Sequence, residues 1–197
     1  MRVLVIGATG TIGAAVADAL AARHEVLRAS RHGPVEVDLG NPGSIRAMYA
    51  RVGRLDAVVS CAGDARMGPL TGLTDDDFAY SLGNKLMGQV NVVRFGVDHV
   101  NDRGVFLLTA GIFGTKPPPG VPAIAVANGG LESFARAAAL DLPRGIRLLT
   151  MSPPFINETA EKFGMKGAGA ISAADNAKVY VAAVEGTETG KVIFPVP

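Results

Sequence analysis

Short apolar runs alternate with longer helical patterns along the whole chain. The runs Val3–Ile6, Glu25–Ala29, Val35–Val37, Ala57–Ser60, Val105–Leu108, Arg147–Met151 and Val192–Val196 read as strands. Several carry β-branched side chains on successive residues, which suits strands buried on both faces of a parallel sheet. Between them, apolar positions recur at helical spacing over Ile12–Arg23, Pro42–Val52, Asp75–His99, Ala123–Leu142 and Ala173–Glu185. Asn41-Pro42 offers an N-cap followed by proline at the first helical position. Thr74-Asp75-Asp76-Asp77 and Ser172-Ala173-Ala174-Asp175 each set a hydroxyl three residues before an acid, as a capping box does. This alternation predicts right-handed crossovers and an α/β fold, a doubly wound parallel sheet in a three-layer αβα sandwich. About seven strands are expected, in the order 3-2-1-4-5-6-7. No internal repeat or linker divides residues 1–197, so one domain is expected. Pro117-Pro118-Pro119-Gly120 reads as a stiff surface loop.

Composition narrows the function classes. The chain has 197 residues, 48% of them hydrophobic, with a formal net charge of +1, which suits one core with no separate substrate domain. A balance so near zero gives no electrostatic reason to expect nucleic acid or an anionic membrane as partner. The single cysteine, Cys61, cannot form an intramolecular disulfide and suits a reducing compartment. The N-terminal stretch lacks the order of a signal peptide, and the apolar run Val3–Ile6 is far short of the ~20 residues of a membrane span. The expectation is a cytoplasmic protein. His24, His32 and His99 cluster with nothing at metal-ligand spacing, so no metal is expected; His99, ending a long helix, would complement its dipole.

The strongest chemical signal is Gly7-Ala8-Thr9-Gly10-Thr11-Ile12-Gly13, between the first strand and the first helix. Glycines there permit a tight turn and let backbone N–H groups approach a pyrophosphate, to which the helix N-terminus adds partial positive charge. Glycines are also ordinary turn residues; the position between strand and helix favours the cofactor. No Lys-Ser or Lys-Thr pair follows, which disfavours a nucleoside triphosphate. The second strand ends in Ala29-Ser30-Arg31-His32, with no acid for a ribose 2′-hydroxyl. Arg31 can neutralise a 2′-phosphate and Ser30 can donate to it, so a Rossmann-type domain preferring NADP(H) over NAD(H) is expected. The alternative for Arg31 is an exposed arginine in a turn.

With these pieces in order, the chain resembles the short-chain dehydrogenase/reductase family over essentially its whole length. Val37-Asp38-Leu39 is similar to the family segment whose acid contacts adenine, and Ser60-Cys61-Ala62-Gly63 to its Asn-Asn-Ala-Gly strip against the cofactor. Gly130-Leu131-Glu132-Ser133-Phe134 through Leu142 resembles the helix that follows the active-site tyrosine and lysine, and Met151-Ser152-Pro153-Pro154 the Ser-Pro-Gly strand end beside the nicotinamide. The glycine loop departs from the commonest family spacing and looks like that of an atypical or extended member. The resemblance implies a cofactor site of Gly7, Thr9, Gly10, Thr11, Ile12, Gly13, Ser30, Arg31, Asp38, Cys61, Ala62, Gly63 and Pro153. It also implies a tyrosine–lysine–serine–asparagine tetrad, which the matched positions lack: Ile124 falls at the tyrosine, Asn128 at the lysine, Ala110 at the serine and Lys85 at the asparagine. Tyr49, Tyr80 and Tyr180 are all far from this segment in sequence.

Three functions fit these residues. One is an oxidoreductase with substitute chemistry, in which Lys85 donates the proton, Thr109 holds the carbonyl and Asn128 binds the nicotinamide ribose; desolvation would bring the lysine toward neutrality. Another is an NADP(H)-binding sensor, or a pseudoenzyme partner of an active homologue. The third is a non-redox isomerase, cyclase or dehydratase. Met67, Phe113, Ile124, Phe155 and Asn157 are candidate pocket walls for a small, fairly hydrophobic carbonyl compound, with Thr159–Gly169 as a lid. Family members associate through two long helices, represented by Asp75–His99 and the alanine- and glycine-rich Ala123–Leu142, so a homodimer or homotetramer is expected, or a heteromer with an active homologue. Asp64, after the Ala-Gly turn, either faces the cleft or is an ordinary turn aspartate.

Overall fold

A computed structural model describes residues 1–165 and 167–196. Seven parallel strands form one sheet: β1 (Arg2–Ile6), β2 (Glu25–Ser30), β3 (Val35–Glu36), β4 (Leu55–Ser60), β5 (Val100–Thr109), β6 (Arg147–Met151) and β7 (Val192–Ile193). Their order is β3-β2-β1-β4-β5-β6-β7, as the alternating pattern predicts. The helices are α1 (Thr11–Ala21), α2 (Pro42–Val52), α3 (Asp75–Ser81), α4 (Gly88–Gly96), α5 (Pro122–Ala138), α6 (Asn157–Lys162) and α7 (Ala173–Glu185). Successive residues of β1 serve opposite faces. Leu4 and Ile6 join the core under α2, α4 and α5, while Val3 and Val5 join the core under α1 and α7. A strand buried on both faces must be apolar at every position, hence the unbroken runs.

The predicted caps form. Asn41 Oδ1 accepts from the Gly43 and Ser44 N–H groups, Thr74 and Asp77 close a reciprocal capping box, and Ser172 Oγ accepts from Asp175 N–H. Other boundaries differ from the expectation for local reasons. The helix read over Asp75–His99 is continuous but contains a π-helical turn at Leu82–Met87, and it ends in a 3₁₀ turn at Val97–His99. Gly88, just after the π turn, sits where any Cβ would press on Leu39, so the helix is tied down there. His99 stacks on Tyr49 at 5.1 Å. The α5 pattern stops at Ala138, short of Leu142, because Pro143 disfavours helical backbone just before it. Only Val192–Ile193 pair at the sheet edge, ahead of Pro195, which has no N–H to donate. β5 starts early at Val100, with an irregularity where Arg103 takes φ 61°. Within the segment read as a lid loop, α6 forms; Lys166 there lies outside the described residues.

Gly96 marks a close contact of α4 with α2 and with the sheet. A Cβ there would collide with the ring and hydroxyl of Tyr49 and come within 2.8 Å of Phe106. Tyr49 is fully buried and donates to the Val92 carbonyl at 2.7 Å. Gly96→Ala is therefore expected to cost about 1–3 kcal/mol by overpacking, read as a lower urea midpoint with an unchanged slope; an unchanged midpoint would refute this account of the contact.

Candidate functional site

The loops that leave the carboxyl ends of β1, β2 and β4 enclose a cleft of about 290 Å³. Its first wall is the glycine loop. Gly7 takes φ 81°, open to glycine but not to most residues. A Cβ on Gly13 would collide with the Gly7 carbonyl, and one on Gly7 would stand 2.9 Å from the Ala62 nitrogen. The chain thus folds back on the start of α1 with no side chain between. Gly10, the N-cap, offers no side-chain oxygen, and no acid occupies the first turn. The first-turn N–H groups of α1 have no carbonyl within the helix to bond and lie at the positive end of its dipole. Such a cradle fits a diphosphate.

Nine expected cofactor residues line this cleft together: Gly7, Thr9, Gly10, Ser30, Arg31, Asp38, Cys61, Ala62 and Gly63. Arg31 stands exposed where β2 ends, in no ion pair among the described residues. Ser30 is buried, and its hydroxyl donates to the His32 carbonyl at 2.9 Å, so it is available to a ligand as an acceptor. Asp38 Oδ1 accepts from Gly40 N–H, and its own N–H donates to Ser44 Oγ. Burial pushes the Cys61 thiol up to about 12, which keeps it protonated and unreactive.

Four expected residues do not line the cleft. Gly13 packs beneath Gly7, and Ile12 faces Ile156 and Ile171. Thr11 accepts a hydrogen bond from Lys162 at 2.7 Å. Pro153 is buried, its carbonyl taken by Ile112 N–H. In their place Ile6, Val37, Leu39, Asp64, Tyr80 and Asn84 complete the lining. Asp64 does face the cleft. Tyr80 carries no local signal for this role, because the loop over residues 61–74 is what returns it to the site.

Lys85 does not line the cleft; the π-helical turn packs its stem against Gly63, which does. A Cβ on Gly63 would stand 3.1 Å from both Cα and Cγ of Lys85, so the lysine stem lies flat on that glycine. The side chain is half-buried, and desolvation draws its ammonium down to about 8; the nearby Asp64 carboxylate opposes that fall. Asp64 is held by three bonds: its N–H donates to Asn84 Oδ1 at 2.8 Å, Ala65 N–H donates to its Oδ1 at 2.9 Å, and Tyr80 Oη donates to its Oδ2 at 2.8 Å. The bond to Asp64 raises the Tyr80 phenol, whose ring lies 4.1 Å beneath the Arg66 guanidinium.

The π turn also packs on α5, where Gly130 leaves room for Leu86. Two residues earlier in α5 lies Asn128, 98% buried, with its Oδ1 bonded to nothing among the described residues. Gly111 and Gly114, at the end of β5, close over this amide. A buried acceptor of this kind calls for a partner, but Asn128 is not among the residues that line the cleft.

Thr109 does not join this group. Its N–H donates to Gln89 Oε1 and its carbonyl accepts from Gln89 Nε2, both at 2.9 Å, while its hydroxyl lies 2.9 Å from the buried Tyr180 hydroxyl. With every polar atom satisfied inside, the hydroxyl has Tyr180 as its partner in place of a substrate carbonyl. Among the expected pocket walls, Phe113 and Phe155 come together, ring centroids 6.3 Å apart, whereas Met67 is 65% exposed. Among the described residues no three His, Cys, Asp or Glu side chains gather as a metal would need, and no helix is long and apolar enough to cross a membrane.

Comparison with known proteins agrees with this geometry. A family model for enoyl-(acyl carrier protein) reductase matches residues 7–194. Human 3-hydroxyacyl-CoA dehydrogenase type-2 is 31% identical over 132 residues, 57% of this chain and 51% of that protein. The chain thus spans about half the length of the curated relatives it matches. The crystal structure of the Listeria innocua protein lin1944 is 41% identical, superposes with a TM-score of 0.94 and covers 98% of both chains. A small-chain dehydrogenase crystallised with NADPH shares the fold at a TM-score of 0.89 and 24% identity, over 98% of this chain and 95% of its own. With a family match that runs from the glycine loop almost to the last strand, the chain belongs to the short-chain dehydrogenase/reductase family.

Proposed function

We propose that the protein is an NADP(H)-dependent oxidoreductase that reduces a small, fairly hydrophobic carbonyl compound with Lys85 as its proton donor. The observation that carries this is the seat of Lys85: a π turn lays its stem on Gly63, half out of water, and its ammonium is drawn down to about 8. Ala110, Ile124 and Asn128, which match the family's serine, tyrosine and lysine, hold no acidic proton to give. When bound, the nicotinamide supplies the hydride that reaches the carbonyl carbon. The Lys85 ammonium gives its proton to the carbonyl oxygen, leaving an alcohol and a neutral amine that solvent reprotonates. Asp64 holds enough negative charge nearby to keep the ammonium populated at neutral pH. The Asn128 Oδ1 accepts from a ribose hydroxyl, and Phe113 and Phe155 offer an apolar wall to the substrate. The preference for the 2′-phosphate rests on Arg31, exposed at the end of a strand that offers no acid.

Two tests follow. In titration calorimetry, Arg31→Asp is expected to weaken NADPH binding by about 100-fold and leave NADH nearly unchanged; equal affinity of the wild type for the two would remove the 2′-phosphate site. For the chemistry, Lys85→Met is expected to lower kcat/KM for carbonyl reduction by about 100-fold or more, with the Kd for NADPH held within about twofold. Reduction by the wild type should fall as pH rises through about 8, since the acid form does the work, and Asp64→Asn should move that limb to lower pH. Stability runs the opposite way with pH. The folded chain gives up the Lys85 proton more readily than the unfolded one, so wild-type stability rises between pH about 8 and the ordinary lysine range, and Lys85→Met should lack that rise. Tight NADPH binding with no reductase activity toward any carbonyl would favour a sensor or partner subunit.

A further inference from the structure

Asp64 and Lys85 are brought together by the backbone around them. β4 runs out through Gly63 into Asp64, and the π turn carries Asn84 and Lys85. The two segments are tied where they meet. A Cβ on Gly63 would stand 3.1 Å from the Lys85 Cα, and Asp64 N–H donates to Asn84 Oδ1 at 2.8 Å. A carboxylate and an ammonium set so close would ordinarily pair, yet no ion pair joins them. Asp64 Oδ1 accepts from Ala65 N–H at 2.9 Å, and Oδ2 accepts from Tyr80 Oη at 2.8 Å.

Tyr80 is fixed by contacts that leave its hydroxyl out. It stands in the last turn of α3 and lines the cleft that Arg31 also lines. Its ring lies 4.1 Å beneath the Arg66 guanidinium. Arg66 is anchored in turn, its N–H donating to Ser81 Oγ at 2.9 Å and its guanidinium 3.8 Å from the Asp77 carboxylate. The Tyr80 hydroxyl is thus presented to Asp64, its one partner among the described residues.

The other charges near this group have their own roles. Arg31 and Arg66 act on the Tyr80 phenol. Asp38 accepts from Gly40 N–H. On α5, which packs against the π turn, Glu132 accepts from Ser152 Oγ at 2.8 Å and lies 3.9 Å from Arg136. Asp64 is the carboxylate whose field reaches Lys85.

We propose that Tyr80 is a positioning residue that acts on Lys85 through Asp64: by holding Oδ2 it keeps the carboxylate from closing on the ammonium. This rests on the reading of Lys85 as proton donor and adds the residue that sets how readily the proton leaves. A carboxylate free to swing onto the ammonium would hold that proton more firmly, because an opposite charge at contact favours the charged form. Loss of the phenol would also leave the carboxylate charge less compensated. Both effects act in the same direction on Lys85.

NMR titration of the nucleotide-free protein with lysine labelled at Cε reads the Lys85 proton without turnover, and Lys85→Met identifies its signal. Tyr80→Phe keeps the ring beneath Arg66 and removes only the hydroxyl. It is expected to raise the Lys85 midpoint by about one pH unit from its place near 8. In the Asp64→Asn background the same substitution should move the midpoint by less than about 0.2, since the coupling runs through the carboxylate. The falling limb of carbonyl reduction should rise with the midpoint, and the low-pH plateau of kcat should drop about threefold, as a weaker acid gives its proton less readily. A midpoint that Tyr80→Phe leaves in place, or shifts equally with and without the Asp64 carboxylate, would overturn the proposal. A midpoint that rises only when the carboxylate is present, while the rate limb stays put, would uphold it and overturn Lys85 as the proton donor.

Discussion

The contact between Gly13 and the Gly7 carbonyl governs what the rest of the molecule can do. No side chain fits between them, so α1 starts directly behind the carboxyl end of β1. The sheet then decides what lies around that helix terminus. β2 delivers Ser30 and Arg31 on one flank and β4 delivers Cys61, Ala62 and Gly63 on the other, because these are the two neighbours of β1 in the sheet. The reversal of strand order at β1 opens the crevice at this point, the place where doubly wound folds bind their ligands. A methyl group at residue 13 would push α1 outward and undo the cradle, the seat of Ile12 beneath α6 and the reach of Lys162 to Thr11 together.

Lys85 imposes a second constraint. Partial burial of an ammonium costs free energy, and ordinary α-helical geometry over Asp75–Gly96 would carry the residue round to a different direction. The wider π turn inserts the needed rotation, and local insertions of this kind recur at functional sites. Its cost is offset by tight seating on both sides, Gly88 against Leu39 and Leu86 against Gly130. Asp64 then stands nearby as the counter-charge without forming a direct ion pair, its Oδ2 accepting from Tyr80 Oη and its Oδ1 from Ala65 N–H. An exposed lysine would titrate near its ordinary value and hold its proton too firmly to serve as an acid near neutral pH.

The parts of the fold legible in sequence are those set by local chemistry. Both-face burial writes itself as apolar runs, capping writes itself as Asn41, Thr74 and Ser172, and close approach writes itself as the glycines of the phosphate loop. Illegible were features that depend on partners distant in the chain. Thr109 looks like an available hydroxyl until Tyr180, 71 residues away, arrives to bond it. Tyr80 looks remote from the site until a loop returns it to Asp64. The π turn has no propensity signature, because Leu82–Met87 reads equally well as α-helix and is fixed by packing on Gly63 and Leu39. Helix α6 is short, and its anchoring bridge to Ile171 spans a stretch with no periodicity to announce it.

Charge shows the same separation between global and local properties. Over the whole chain acids and bases nearly cancel, at a net +1, and nothing in that sum suggests an anionic ligand. Around the cleft the count is no different, three cations against two carboxylates, but their arrangement is. Arg31 stands at the mouth, Lys85 on the inner strip and Lys162 above the helix terminus, joined by the dipole of α1. The carboxylates that line the cleft, Asp38 and Asp64, accept hydrogen bonds from Gly40 N–H and Tyr80 Oη respectively, which fix their orientation. A cleft with low-dielectric walls focuses the field of the charges placed in it, whereas charges on the outer helices sit in water and are screened within about 10 Å at ordinary ionic strength. The field that selects a ligand is therefore set by which side chains the topology brings to the carboxyl edge, and the net charge of the chain carries no information about it.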